Sequence, residues 1–144
     1  MIEMFFIDAN IFLEVELNDK RSEECQELFL NIFKKRMKSA TSDFIVYTCL
    51  IQLENKASLK EMKNFITFLD NMRSIEVHSP AYKTLYETFQ VMEKYGLDFD
   101  DSLVVSTMTS LGIKKLVSFD RHFDKVKEIK RIEPLDILKG QPPR

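Results

Sequence analysis

The chain has 144 residues, a length that suits one domain around a single core. Hydrophobic residues make up 44% and charged residues 31%, an ordinary balance for a soluble globular protein. The formal net charge of −2 excludes a strongly basic nucleic-acid binder and leaves room for a local basic surface.

In chain order, Met4-Phe5-Phe6-Ile7 is an apolar run that ends abruptly on Asp8. It reads as a buried strand over Ile2 to Ile7 with an acid at its carboxyl end. Asp8 to Leu13 then turns into a helix, with Asp8 or Asn10 able to cap its first N–H groups. The next helix is predicted from Ser22, as its cap, to Lys38. Its core face comprises Cys25, Leu28, Phe29, Ile32, Phe33 and Met37. Lys34, Lys35, Arg36 and Lys38 crowd its end, where they complement the helix dipole or meet an anionic polymer. A short strand at Ala40 to Ser42 precedes a helix over Asp43 to Ala57 that carries Phe44, Tyr47, Leu50, Ile51 and Glu54.

Leu59 to Met72 reads as a helix with Met62, Phe65, Ile66, Leu69 and Met72 on one stripe, and Ser74 to His78 as an edge strand. Ser79-Pro80 is a helix start, and that helix stops at Gly96 in the left-handed conformation. The acid-rich loop from Leu97 leads into a helix that Asp98 or Asp100 can cap and Gly112 ends. Lys115 to Phe119 is a strand that again ends on an acid, Asp120. A turn at Arg121 to Val126, a strand at Lys130 to Ile132, a helical turn at Pro134 to Leu138 and a frayed tail from Gly140 complete the chain. Alternation of strands and helices predicts an α/β fold: one domain over residues 1–139 with a mainly parallel sheet and helices on both faces.

Two strands that end on Asp8 and Asp120 suggest one shared acidic site, because ligands of open parallel sheets collect where the strands end. Asp101 opens a helix near a strand end, and Glu54 lies on a helix that could flank the same cleft. Carboxylates suit hard divalent cations such as Mg²⁺ or Mn²⁺. Gathering them without a cation costs roughly 4 kcal/mol per pair at 4 Å and an effective dielectric near 20. Asn10 and Ser118 are suited to hold neighbouring carboxylates.

Other chemistries have less behind them. Neither His78 nor His122 stands beside a serine or cysteine motif. Three glycines make no phosphate loop, and the cysteines and histidines show no zinc spacing. Cys25 and Cys49 fall on apolar helix faces and read as buried thiols of an intracellular, cytoplasmic protein. No apolar run approaches the ~20 residues that span a bilayer, and no secretory leader is visible.

At these residues the sequence resembles the PIN-domain nucleases, particularly the VapC-like toxins of toxin–antitoxin pairs. Ile7-Asp8-Ala9-Asn10-Ile11-Phe12 is similar to that family's opening Asp-x-Asn motif, and Leu53-Glu54 to its central helix glutamate. Phe99-Asp100-Asp101-Ser102-Leu103-Val104 resembles the segment that supplies the third acid, here Asp101, with Asp100 one residue away. Leu116-Val117-Ser118-Phe119-Asp120-Arg121-His122-Phe123 resembles the closing strand, with Ser118 for the usual threonine and His122 where some members carry another acid.

The resemblance implies a five-stranded parallel sheet and a Mg²⁺- or Mn²⁺-dependent ribonuclease. Asp8, Glu54, Asp101 and Asp120 would be its catalytic and metal-binding residues, supported by Asn10 and Ser118. It also implies an RNA substrate and an antitoxin partner. The alternatives are a housekeeping RNA-processing nuclease, a non-catalytic PIN-like module that binds RNA or a partner protein, and phosphoryl transfer through Asp8. Twelve phenylalanines and seven methionines in so small a domain predict an exposed apolar patch and hence a homodimer, formed through the helices between Ser22 and Met72.

Overall fold

The structure is a computed structural model that describes residues 4–140. Five strands, β1 (Phe5–Ile7), β2 (Ser39–Ser42), β3 (Ile75–His78), β4 (Lys115–Val117) and β5 (Lys130–Ile132), form one parallel sheet in the order β3-β2-β1-β4-β5. Among the described residues, seven helices surround it: α1 (Ala9–Glu16), α2 (Ser22–Lys35), α3 (Asp43–Lys56), α4 (Leu59–Asn71), α5 (Thr84–Tyr95), α6 (Phe99–Leu111) and α7 (Pro134–Lys139). A 3-10 turn spans Arg121–Lys125. Winding runs outward from β1 to β3 on one side and from β4 to β5 on the other. The topological switch point therefore lies between β1 and β4.

Strand β1 is buried along its whole length, as a central parallel strand with both faces covered must be. Strand β2 is buried too, although it reads Ser-Ala-Thr-Ser, and Thr41 compensates by donating its hydroxyl to the Ile7 carbonyl at 3.0 Å. Beside the sheet, Phe12 stacks on Phe29 at 5.3 Å and meets Phe65 edge-on at 5.5 Å, tying α1, α2 and α4 together. Helix α6 is buried from Ser102 through Met108 and is the central helix of its layer. Ser106 meets the Thr88 hydroxyl of α5 at 2.7 Å, whereas the buried Thr107 hydroxyl has no hydrogen-bond partner among the described residues. Cys25 and Cys49 are free and buried, and burial pushes both thiols up, Cys25 to about 12.

Several boundaries depart from expectation for visible reasons. Helix α2 stops at Lys35 because Arg36 turns into the left-handed region, φ 51°. Ser22 is its first helical residue and not its cap, and its hydroxyl instead accepts from Gln26 at 2.8 Å. Phe33, expected in the core, is 60% exposed. Helix α5 begins at Thr84 and not at Pro80, since turns that bond Thr84 to Ala81 and Leu85 to Tyr82 come first. Asp98 occupies the cap position of α6 without a side-chain cap bond. Helix α3 buries Ile45, Val46, Cys49 and Leu53, which leaves Tyr47 and Ile51 outside. Residues 2 and 3 of the predicted first strand, and most of the predicted tail, lie outside the described residues. Among those described, no helix is long and apolar enough to cross a membrane.

Candidate active site

Asp8 follows β1 directly and sits at the cap position of α1. Its Oδ1 accepts the Ala9 N–H at 2.8 Å, which satisfies a donor that the helix start leaves open. Its Oδ2 accepts the Ser118 hydroxyl at 2.6 Å. Ser118, just past β4, accepts in turn from Asn10 Nδ2 at 3.1 Å and from the Asp120 N–H at 3.0 Å. Asn10 Oδ1 accepts the Phe119 N–H at 3.2 Å. Asn10 and Ser118 thus stitch the end of β1 to the end of β4 across the switch point.

Asp101, in the first turn of α6, faces the same point from another element. Asp101, Asp120 and His122 each offer one ligand atom, and the three atoms lie within 4.8 Å of one another. His122 is exposed, and its Nδ1 stands 3.0 Å from Asp120 Oδ1. The Nδ1–H tautomer that this contact favours leaves Nε2 as a lone-pair donor. Asp100 is exposed, and its Oδ1 accepts the Asp101 N–H at 3.0 Å, so of the two adjacent acids it is Asp101 that joins the group. Phe44 of α3 meets Phe99 of α6 edge-on at 6.3 Å, joining the starts of these two helices.

The electrostatics are those of gathered acids, with His122 beside them. Burial pushes the Asp8 carboxyl up, against the pull of its Ser118 and Ala9 hydrogen bonds, and the Asp120 and Asp100 charges push the same way. The Asp101 carboxyl is pushed up to about 7, first by burial and then by Asp100, Asp120 and Asp8, with His122 opposing. At separations near 4.8 Å, one like-charge pair costs roughly 3–4 kcal/mol at an effective dielectric of 20.

Glu54 stands apart. It is exposed in the last turn of α3 and lies outside the Asp101–Asp120–His122 group. Cys49 is the residue of α3 aimed at the start of α1, with its Sγ 3.7 Å from the Ala9 carbonyl oxygen. Five residues on, a helix has turned about 140° further and advanced about 7.5 Å, so Glu54 cannot share that direction.

Two arginines escaped the sequence reading. Arg131 Nη1 donates to the Ser118 carbonyl at 2.9 Å and pairs with Glu133 at 2.7 Å, while its Nε pairs with Asp124 at 2.7 Å. Arg21 lies over the Phe119 ring, 3.8 Å from its centre, and pairs with Glu24 and Glu133, each at 2.6 Å. They brace the segment that carries Ser118 and Asp120 from behind. A strand of Lys-Arg-Ile gives no sign of this, because Ser118 and Asp124 reach Arg131 from other parts of the chain.

The sequence profile of the PIN domain matches residues 5–129. Among solved structures, VapC20 of Mycobacterium tuberculosis, a sarcin-ricin loop cleaving toxin, superposes with a TM-score of 0.73 at 13% identity, covering 85% of this chain and 95% of that one. PAE2754 of Pyrobaculum aerophilum gives 0.66 at 20% identity, covering 98% and 100%. VapBC2 of Rickettsia felis, crystallised on a DNA fragment from its promoter, gives 0.66 at 15% identity, covering 90% and 98%. Among curated proteins, none is similar to the chain in sequence. The fold is that of the VapC toxin nucleases, and with the family profile extending over most of its length the chain belongs to the PIN-domain family.

Proposed function

We propose that this protein is a metal-dependent endoribonuclease, the toxin of a toxin–antitoxin pair acting in the cytoplasm. The observation that carries the reading is the meeting of Asp101, Asp120 and His122 beside Asp8 at the switch point. The donor set fits a divalent cation: hard carboxylate oxygens suit Mg²⁺ or Mn²⁺, and an imidazole beside them favours Mn²⁺. Asp8, Asp101, Asp120 and His122 would hold it. When bound, the cation activates water and neutralises charge on a phosphodiester.

The remaining work falls to the chain itself. Ser118 and, at 3.4 Å, Asn10 Nδ2 donate to the Asp8 carboxylate and fix it, so the site is ordered before substrate arrives. Arg131 holds the backbone at Ser118, so Asp120 keeps its position as charge accumulates nearby. Partners follow the same reading. VapBC complexes from Rickettsia felis and Salmonella typhimurium have been crystallised, which supports an antitoxin partner for this chain. Exposed Tyr47, Ile51, Leu59 and Ile66 on α3 and α4 support a homodimer through those two of the helices between Ser22 and Met72. The test is cleavage of single-stranded RNA with Mn²⁺ or Mg²⁺ and with EDTA, by the parent and by Asp101→Asn. Metal-dependent cleavage lost in the variant is expected. RNA binding without cleavage under any metal would leave the binding-module alternative.

A further inference from the structure

The cationic run that closes α2 has no part in the acid site. Lys34 and Lys35 lie in the helix's last turn, where they complement its dipole. Arg36 and Lys38 lie past the helix end, and Arg73 comes from the turn before β3. The fold gathers Lys34, Arg36, Lys38 and Arg73 around one groove of about 740 Å³. Among the described residues, none of these four cations has an ion-pair partner. Glu76 is the acid on the groove wall, and it sits 3.1 Å from His78 Nε2. Arg36 holds φ 51° and ψ 42°, a left-handed position where glycine is the usual residue. A long cationic side chain is kept there at the expense of backbone comfort, which dipole compensation does not require.

Lys38 and Arg73 precede β2 and β3, whereas Asp8 and Asp120 follow β1 and β4. The groove therefore lies at the opposite end of the parallel sheet from the acids. A strand of four residues separates its two ends by about 13 Å. We propose that this groove anchors the phosphate backbone of single-stranded RNA away from the point of cleavage. The inference rests on the endoribonuclease reading and extends it to substrate length. RNA is favoured over an acidic peptide by Phe33, 60% exposed on the groove wall as a stacking platform for a base. A strand long enough to pass the edge at β3 engages both ends of the sheet; a short one reaches the acids alone.

The experiment compares 5′-labelled RNAs of about 16 and about 4 nucleotides, a contrast chosen from the reach of single-strand grooves. Binding is measured in EDTA across a salt series, for the parent and for Lys34→Ala/Arg36→Gly/Lys38→Ala/Arg73→Ala. The 16-mer should bind the variant about tenfold or more weakly, with the slope of log K against log salt reduced by about 2 to 3. The 4-mer, too short to engage both ends, should be cleaved alike by both proteins in Mn²⁺. With Mn²⁺, KM for the long RNA should rise by a similar factor at unchanged kcat. Arg36→Gly alone should melt at the parent temperature or above, because glycine suits that backbone, and still weaken 16-mer binding. Unchanged 16-mer binding by the fourfold variant overturns the proposal. So does loss of polyglutamate binding in the variant with RNA binding intact, which would assign the groove to an acidic peptide. A parent that binds the 16-mer through the groove and cleaves nothing keeps the groove and removes the nuclease reading.

Discussion

The two ends of the sheet present opposite electrostatic problems and solve them differently. At the carboxyl ends, short acids are held to fixed positions: Asp8 by Ser118 and the Ala9 N–H, Asp120 by the His122 N–H, all within 3.0 Å. At the amino ends, Lys34, Arg36, Lys38 and Arg73 are exposed and long, and no carboxylate among the described residues holds them. Repulsion between fixed, buried or half-buried charges is stored, and a bound cation or a proton taken up by one of the acids relieves it. Repulsion between long exposed chains is dissipated into water and salt. Chemistry at a phosphodiester needs the first arrangement, and tracking a flexible backbone needs only the second.

The largest effect expected comes from breaking the fixed end. Asp8→Asn keeps the shape and one of the two hydrogen bonds, from the Ala9 N–H or from the Ser118 hydroxyl, since Ser118 already accepts from Asn10 and Asp120 and has no lone pair left for the new amide. Mn²⁺-dependent RNA cleavage should fall by on the order of 10³-fold or more. The metal-free fold should be as stable or more stable, by about 1 kcal/mol, because one buried like charge has gone. A variant that cleaves at the parent rate would sink the acidic-site reading.

Metal binding itself should come next. Mn²⁺ at about 100 times its dissociation constant should stabilise the parent by roughly 2.7 kcal/mol through mass action. Asp120→Asn should respond much less in the same thermal melts. Equal shifts in parent and variant would mean that the metal acts elsewhere.

The pH dependence of the metal-free protein gives a smaller effect of defined sign. The Asp101 carboxyl is pushed from its usual 3.8 up to about 7, so between those values the folded chain holds a proton that the unfolded chain has released. Stability from this group is therefore full below about pH 4 and is lost as pH rises towards 7. Solvent screening at a half-buried carboxyl reduces the change to on the order of 1–2 kcal/mol. Denaturant titrations from pH 5 to pH 8 should show the decline, and Asp101→Asn should flatten it. A stability that rises with pH across that window would contradict the crowding of acids.

Glu54→Gln sharpens the comparison from the other side. An exposed residue outside the gathered group should change stability by no more than about 0.5 kcal/mol and leave cleavage and the Mn²⁺ response intact. Loss of activity in this variant would return Glu54 to the site and require α3 to move.

Much of the fold was legible in the residues because its signals are local. An apolar run that stops at an acid marks β1. Gly96 and Gly112, at φ 68° and 71°, end α5 and α6 where a left-handed residue is needed. Asp8 and Asn10 lie two residues apart on one turn, so their cooperation is written in their spacing. Helix α3 shows where local signals end. It is apolar nearly all round, with Phe44, Ile45, Val46, Tyr47, Leu50, Ile51 and Leu53, so its pattern names no inward face. The neighbours chose Ile45, Val46, Cys49 and Leu53, and with that choice Glu54 turned to solvent.

By itself the sequence determined the alternation of strands and helices, and with it the parallel sheet, the acids at strand ends and the small polar residues beside them. These depend on periodicity, on caps and on what a strand terminus presents, all of which act within a few residues. Only the tertiary structure decided that His122 stands beside Asp101 and Asp120, that Arg131 braces Ser118, and that Arg73 joins the end of α2 across a groove. Each of those joins residues from separate elements. Their meeting is set by how the elements pack on the sheet, a property no short stretch of chain carries.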